Sequence, residues 1–363
     1  MMYTGHETDS KRVAVAMSGG VDSSVSAALL VKQGYEVIGF TMQLFDYESG
    51  SFKPESARGC CNLDAVLRAE LVCHSLNIPH YTLDLQDAFQ RFVIDDFVSE
   101  YLTGRTPNPC VRCNTYLKWG VLFNKARSLG CSHLATGHYA RIEMLDDQLA
   151  LLRARDPEKD QSYALWGIPY HLLPHTLLPL GSLTKSEVRS IARHLGLKTA
   201  ETPESQEICF IIDQHYADFL KEKKPDFFET LEPGLLFEEV EGTLKRVGKH
   251  PGFPYFTIGQ RRGLGGGYSS PRYVLRTDPD YNWVVIGERR QLLKAVFEID
   301  QVNWLISAPV EVLRCQVQIR YGSPTHGAKV TVPSYPLENS SVRIRIELDE
   351  PAEAITPGQS AVL

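Results

Sequence analysis

Two groups of residues in this chain can do chemistry: a glycine- and serine-rich loop suited to phosphate, and cysteines placed where sulfur could move. The loop, Ser18-Gly19-Gly20-Val21-Asp22-Ser23-Ser24, follows the apolar run Val13 to Met17 and precedes helix-forming residues. Its glycines open backbone torsions closed to other residues, so main-chain N–H groups can approach an anion. A helix starting near Val21 to Ser23 adds its unpaired N–H groups and the positive end of its dipole. Ser18, Ser23 and Ser24 supply hydroxyl donors, and Asp22 is placed to hold the magnesium ion that accompanies a nucleotide. No G-x-x-x-x-G-K-[ST] occurs in the chain; the nearest stretch, Gly242 to Lys249, has one residue too many and is followed by His250 where Ser or Thr belongs.

The cysteines divide by context. Cys73, Cys131 and Cys315 lie within apolar patterns and read as core residues. Cys110-Val111-Arg112-Cys113 follows Thr106-Pro107-Asn108-Pro109, whose prolines rigidify a loop and exclude it from a helix interior. C-x-x-C serves as half a zinc site, as a redox pair or as part of an iron–sulfur site. A structural zinc needs two further ligands, there is no second C-x-x-C, and Cys60-Cys61 contributes only if the fold brings it near. Cys209, in Ser205-Gln206-Glu207-Ile208-Cys209-Phe210, has apolar neighbours that by themselves suggest a buried structural thiol.

These residues must be held by a scaffold of ordinary composition. The chain has 363 residues, 43% hydrophobic and 23% charged, enough for two or three domains. No apolar segment approaches the roughly 20 residues that span a bilayer. Met1 to Arg12 resembles neither a secretory signal nor a transit peptide, so a cytoplasmic location with mostly reduced cysteines is expected. The net charge is −6, yet residues 245–345 carry 15 Lys or Arg against 7 Asp or Glu, a local net of +8. That window reads either as a surface that neutralises RNA phosphates or as scattered, solvated charge on strands.

From residue 11 to about 140, β-branched runs alternate with amphipathic stretches. Strands are expected at Val13–Met17, Val37–Thr41, His80–Leu85 and His133–Gly137, with helices at Ser23–Gln33, Asp64–Leu76 and Tyr116–Leu129. Units of this length imply an α/β fold with a doubly wound, mostly parallel sheet, whose ligands gather beyond the carboxyl ends of the strands. A further helix is expected at Thr184–Leu195. The texture changes near Asp213, and short strands such as Val284–Gly287, Val312–Ile319, Lys329–Val332 and Val342–Ile346 read as antiparallel, the last 70 or so residues as a small barrel. The expected domains are 1–213, 214–290 and 291–363.

The strand–SGGVDSS–helix arrangement resembles the PP-loop of the ATP pyrophosphatases, which cleave ATP between its α- and β-phosphates and pass AMP to an oxygen of the acceptor. Further motifs follow in order: Thr106 to Cys110 with Cys113-Asn114, Ala135-Thr136-Gly137-His138-Tyr139, Lys159-Asp160-Gln161-Ser162-Tyr163, Leu183 to Arg189, Ser205 to Phe210, Phe256 to Gly265 and Pro357-Gly358-Gln359. Together they resemble the bacterial tRNA-specific 2-thiouridylases from about residue 11 to the end. The resemblance implies a PP-loop domain, a small central domain and a C-terminal β-barrel. It also implies replacement of oxygen by sulfur at C2 of the wobble uridine, using ATP, Mg2+ and a persulfide supplied by a cysteine desulfurase directly or through a relay protein.

Carried over residue by residue, the resemblance makes Cys113 the nucleophile and Cys209 the persulfide carrier, joined by a disulfide in one state. Ala16, Met17, Ser18, Gly19, Gly20, Val21, Asp22, Ser23, Met42 and Gly137 match ATP-binding positions. Asn108, Pro109 and Cys110 match the segment touching the target base. His138, Lys159, Asp160, Gln161, Arg320, Tyr321 and Gln359 match tRNA-contacting positions. Some relatives carry Asp where this chain has Cys110, which argues against an obligatory thiol there. The competing readings are a PP-loop ligase forming amides on a small molecule, a non-catalytic RNA-binding module whose cysteines hold metal, and the same thiolation run by an iron–sulfur cluster on Cys110, Cys113 and Cys209.

Overall fold

A computed structural model describes residues 11–45, 63–203, 208–211, 215–306, 311–332 and 343–363. Cys60, Cys61 and Ser205 to Glu207 lie outside the described residues. The fold is organised by the apolar run that opens it. Val13, Ala14 and Val15 of β1 (Arg12–Ala16) are completely buried, as befits a strand covered on both faces. The chain continues through α1 (Val21–Lys32), β2 (Glu36–Gln43), α2 (Leu63–Ser75) and β3 (His80–Asp84). A helical stretch follows: α3 (Gln86–Phe89), a π-helical segment Gln90–Ile94, and α4 (Asp95–Leu102).

Next come α5 (Pro109–Arg112), a second π-helical segment Cys113–Leu122, α6 (Phe123–Ser128) and β4 (His133–Ala135). A hairpin of β5 (Ala140–Leu145) and β6 (Gln148–Arg153) precedes β7 (Thr176–Leu177) and α7 (Lys185–His194). The parallel sheet has the order β3-β2-β1-β4-β7. The order reverses at β1 and β4, so the crevice between their carboxyl ends is the switch point where such sheets bind ligands. Val25 and Ala28 of α1, Ala69, Val72 and Cys73 of α2, and Val188 and Ala192 of α7 pack around it.

The strands expected in this sheet are found within one or two residues of their observed limits, and so are the helices at α1, α2 and α7. Farther along, the expected Lys329–Val332 belongs to a longer strand that begins at Thr325, and the expected Val342–Ile346, whose Val342 lies outside the described residues, runs on to Glu353. The helix expected at Tyr116–Leu129 begins earlier and is wound as a π-helix through ten residues before α6. Cys110 to Cys113 is therefore helical. Pro109 stands at the first helical position, where its missing N–H costs nothing.

The chain divides into two compact units, one of residues 1–92 and 110–213, the other of 93–109 and 214–363. In the second, α8 (Tyr216–Lys223) receives Tyr101 stacked on Tyr216 at 4.4 Å and Phe97 edge-on to Phe219 at 6.0 Å. After α9 (Pro225–Thr230), strands β8 (Gly234–Val240), β9 (Thr243–His250), β10 (Tyr273–Asp278) and β11 (Trp283–Gly287) form a sheet of order β10-β11-β8-β9. One pair departs from the antiparallel expectation: β11 runs parallel to β8. The hairpin β10–β11 is antiparallel, and the long connection after β9 returns it to the far side of β8. The last sheet, β12-β15-β14-β13, is antiparallel throughout: β12 (Leu293–Ile299), β13 (Val312–Gln318), β14 (Thr325–Thr331) and β15 (Ile344–Glu353). Val317, Val330, Ile344 and Ile346 form its core. Among the described residues, no helix is long and apolar enough to cross a membrane.

Candidate active site

The phosphate loop is shaped by two close approaches. Gly19 has φ +67°, and a Cβ there would collide with the carbonyl of Ala65 at the start of α2. Gly137, just beyond β4, lies so close to the first turn of α1 that a Cβ would stand 2.8 Å from the Ser23 nitrogen. Gly20 caps α1 without a side-chain hydrogen bond, so the helix presents its N-terminus to the crevice uncovered. The side chains of Met17 and Val21 are in the core, which restricts both to main-chain contact with a nucleotide. Ser24 is fully buried and its hydroxyl donates to the Gly20 carbonyl at 2.8 Å, so it braces the loop and is no ligand donor. The Ser23 hydroxyl accepts from the Ser18 N–H at 3.2 Å and donates to Gly20 O at 3.1 Å. Arg68 of α2 donates to the Gly19 carbonyl at 3.1 Å, and Met42 sits half-buried at the same end of β2.

Asp22 is already engaged. Lys185 Nζ lies 2.8 Å from each of its carboxylate oxygens, and the Tyr139 hydroxyl donates to Oδ1 at 2.8 Å. The lysine side chain is only 12% exposed and passes over the Tyr139 ring at 5.6 Å. Lys185 is the first residue of α7, behind a capping box in which Thr184 accepts from the Glu187 N–H and Glu187 from the Thr184 N–H. A cation in a first helical turn opposes the helix dipole. That mismatch is the sequence signal for Lys185, which motif matching alone treats only as part of Leu183 to Arg189.

Around the cysteines, Cys110 is exposed while Cys113 and Cys209 are half-buried. Asn114, beside Cys113, is 3% exposed; its amide donates to the Ala164 carbonyl at 2.8 Å, which turns its Oδ1 toward Lys118 Nζ at 2.8 Å. Lys118 Nζ reaches His138 Nε2 at 3.4 Å, and His138 Nδ1 meets the Thr136 hydroxyl at 2.6 Å. An ammonium can only donate, so Nε2 accepts and the imidazole proton resides on Nδ1. Burial, reinforced by the Lys118 charge, holds the His138 pKa well below the ordinary imidazole value, so His138 is neutral. Cys209 is held through its neighbour: Phe210 packs edge-on against Phe89 at 5.7 Å, and three residues along, Phe92 stacks on Tyr116 at 5.3 Å. The helical stretch from Gln86 to Phe92 thus anchors both the Cys209 segment and the Cys113 helix. Arg112 lies over the Tyr116 ring at 5.8 Å.

Burial pushes the thiols of Cys73 to about 12 and Cys131 to about 11, and raises that of Cys315, as expected of core cysteines. Among the described residues, no three His, Cys, Asp or Glu side chains stand close enough to hold a metal ion. The donor geometry therefore does not assemble the three-cysteine set that a cluster on Cys110, Cys113 and Cys209 requires. His171 and His175 have zinc-like spacing, but His175 Nδ1 is bonded to the Ser132 carbonyl at 2.9 Å, at the opposite end of the parallel sheet. A magnesium–nucleotide fits better: the uncovered N-terminus of α1, the two glycine contacts and the Asp22 carboxylate form a cradle of the right chemistry.

The residues matched to RNA contact divide in the structure. Asp160 accepts from the N–H groups of Ala154 and Ser162 and from the Ser162 hydroxyl, while Gln161 is paired with the Tyr139 main chain in both directions. These two shape the loop that carries Lys159. Gln359 donates to the carbonyls of Thr106 and Pro107 at 2.9 and 3.1 Å, and Thr106 N–H donates to Pro357 O at 2.8 Å. The C-terminal Pro-Gly-Gln thereby clamps the segment that runs into Asn108, Pro109 and Cys110. Arg320 and Tyr321 are exposed side by side at the end of β13. The +8 window is less basic in space than in sequence, because Arg272, Arg276, Arg289, Arg314, Lys329 and Arg345 pair with acids outside it: Glu238, Glu239, Glu353, Asp349 and Glu347. Lys245, Arg246, Lys249, Arg261, Arg262 and Arg320 are exposed without an ion pair among the described residues, and they mark the basic surface.

Three domain families match the chain in succession: a tRNA methyl transferase HUP domain over 11–213, a tRNA methyl transferase PRC-barrel domain over 232–288, and an aminomethyltransferase beta-barrel domain over 294–363. Near-full-length relatives decide what these domain names leave open. The tRNA-specific 2-thiouridylase MnmA of Carboxydothermus hydrogenoformans is 45% identical over 97% of this chain and 94% of its own length. The chain belongs to the tRNA-specific 2-thiouridylase family. Members from Geobacter metallireducens, at 45% identity over 97% of this chain and 93% of theirs, and from Halothermothrix orenii, at 44% over 97% and 95%, agree. In this member of the 2-thiouridylase family, the glycine loop and the cysteine helix both lie within the HUP-matched residues 11–213.

Proposed function

We propose that this protein is an ATP-dependent, cytoplasmic tRNA sulfurtransferase that converts the wobble uridine to 2-thiouridine. The observation that carries the reading is the continuity of the site. The loop backbone touches Gly137, the adjoining His138 meets Lys118, Lys118 holds Asn114, and Asn114 adjoins Cys113. A nucleotide-activating cradle and a thiol are thus linked through side chains in contact.

The C2 oxygen of uracil is a very poor leaving group, and adenylation turns it into AMP. The oxygen attacks the α-phosphorus, pyrophosphate departs, and the N3 proton passes to water. The N-terminus of α1 and the loop N–H groups orient the phosphates and stabilise the charge on the leaving pyrophosphate. Bound magnesium, held at Asp22, would supply further charge neutralisation there.

Cys209 carries the donor sulfur as a persulfide received from a cysteine desulfurase or a relay protein. Its terminal sulfur attacks C2 and AMP leaves. Cys113 then attacks the inner sulfur, freeing the thiolated base, which regains a proton at N3, and leaving a Cys113–Cys209 disulfide for a dithiol reductant. The alternative order, in which Cys113 first releases hydrosulfide to attack C2, balances equally. An anticodon base is single-stranded, so placing it at the Asn108–Cys110 segment needs a pocket more than a duplex-opening device.

Incubating unmodified tRNA with the protein, ATP and a sulfide donor, followed by mass spectrometry of the nucleosides, tests this directly. Cys113→Ser and Cys209→Ser are each expected to abolish persulfide-dependent thiolation while preserving tRNA binding. Full activity in either would overturn the assignment of the two cysteines. Pyrophosphate release stimulated by a small acid in place of tRNA would favour the ligase reading.

A further inference from the structure

Lys118 is a charged side chain that the sulfur chemistry above leaves without a task. It lies between the two halves of the reaction, one hydrogen bond from the residue beside Cys113 and one from the residue beside Gly137. Both partners are fixed and neither is an anion. Asn114 is locked by the Ala164 carbonyl, and His138 is locked by Thr136 and kept neutral. No ion pair to Lys118 is formed among the described residues, although a lysine withdrawn from water is generally paired with an opposite charge. An ammonium carries three N–H groups, and two are directed by these neutral acceptors. A cation oriented this way, without a counter-charge, is arranged to meet an anion that arrives with the substrates.

We infer that Lys118 is a further catalytic residue of the adenylation step, donating to the negative charge that gathers on the α-phosphoryl oxygens as the uracil oxygen adds and pyrophosphate leaves. The inference rests on the sulfurtransferase reading. In that step the O2–Pα bond forms, the bond from Pα to the bridging oxygen breaks with its electron pair going to pyrophosphate, and the N3 proton goes to water. Lys118 remains protonated throughout. The same ammonium faces departing AMP when sulfur attacks C2. Asn114 and neutral His138 are positioning residues that aim Lys118.

Single-turnover formation of pyrophosphate from ATP in the presence of unmodified tRNA tests the assignment, with ATP and tRNA affinities measured separately. Lys118→Met is expected to slow pyrophosphate formation about 10²- to 10³-fold, the usual loss when one charge-stabilising donor is removed, with both affinities within about threefold of wild type. Lys118→Arg, which keeps the charge, should recover at least a tenth of the wild-type rate. Lys118→Gln keeps a donor for Asn114 without the charge and should be as slow as Lys118→Met; it also serves as the neutral variant if the methionine protein does not fold. A Lys118→Gln enzyme within threefold of wild type would overturn the inference, as would a rate loss matched by an equal loss of ATP or tRNA affinity. Failure of the wild-type protein to release pyrophosphate with tRNA would count instead against the sulfurtransferase reading.

Discussion

Lys185 holds Asp22 by both carboxylate oxygens at 2.8 Å, although the two residues are 163 positions apart. The pair joins the first turn of α7 to the first turn of α1, and Tyr139 supports it from the side. Asp22 is the one acid of the phosphate loop. Left alone there, its charge would repel the incoming phosphates. On the ATP-binding reading proposed above, the lysine offsets that charge.

Lys185→Met should therefore weaken ATP binding by roughly tenfold or more, since removing one partner of a half-buried pair leaves the other uncompensated. Titration calorimetry with Mg·ATP would show it. Adding Asp22→Asn should restore part of the affinity at low magnesium, because the repulsion disappears with the carboxylate. Unchanged affinity in Lys185→Met would reduce the pair to a structural link between helices.

The clamp of Gln359 on Thr106 and Pro107 leads to a different expectation. Gly358 has φ +90°, and a Cβ there would come within 2.7 Å of the Thr106 carbonyl oxygen. Gly358→Val should displace the segment entering Asn108, cutting thiolation at least tenfold while ATP affinity stays at the wild-type level. Gln359→Ala removes two hydrogen bonds, each worth about 1 kcal/mol, and should give a milder version of the same split. Comparing nucleoside product with ATP affinity in the two variants checks it.

The exposed basic residues without ion pairs predict where RNA phosphates are neutralised. Arg261→Ala and Arg262→Ala should each weaken tRNA binding and lower the slope of log affinity against log salt by about 0.7 to 0.9 for every phosphate no longer neutralised. Arg314→Ala is the matched control, because Arg314 already pairs with Asp349 at 2.7 Å. Filter binding over a salt series distinguishes them, and equal slopes for all three would remove Arg261 and Arg262 from the interface.

Much of the fold was legible in the residues because local signals and tertiary demands agree. β1, α1 and the loop between them follow from an apolar run, two glycines and a capping position. The winding of Cys113–Leu122 as a π-helix was not legible, since that pitch is set by what Asn114, Leu117 and Trp119 must reach, with Trp119 donating to the Thr176 hydroxyl at 2.8 Å. The pairings of Lys185 with Asp22 and Gln359 with Thr106 join distant parts of the chain, and no local pattern encodes them. The charge window overstated the basic surface for the same reason: Glu347 and Asp349 lie just past its end in sequence but beside Lys329 and Arg314 in space.

Burial also predicts how the cysteines respond to a thiol reagent. A thiol whose pKa is raised by burial stays protonated, and so unreactive, at every pH below that raised value. Cys73, at about 12, and Cys131, at about 11, should resist iodoacetamide from pH 7 to pH 9, while exposed Cys110 is alkylated first. Peptide mass spectrometry after short exposures would rank them. Unfolding in urea should equalise the rates, because both buried thiols then return to the ordinary value of about 8.5. Rapid labelling of Cys73 in the native protein would mean that α2 opens away from β2, and with it the floor against which Gly19 packs.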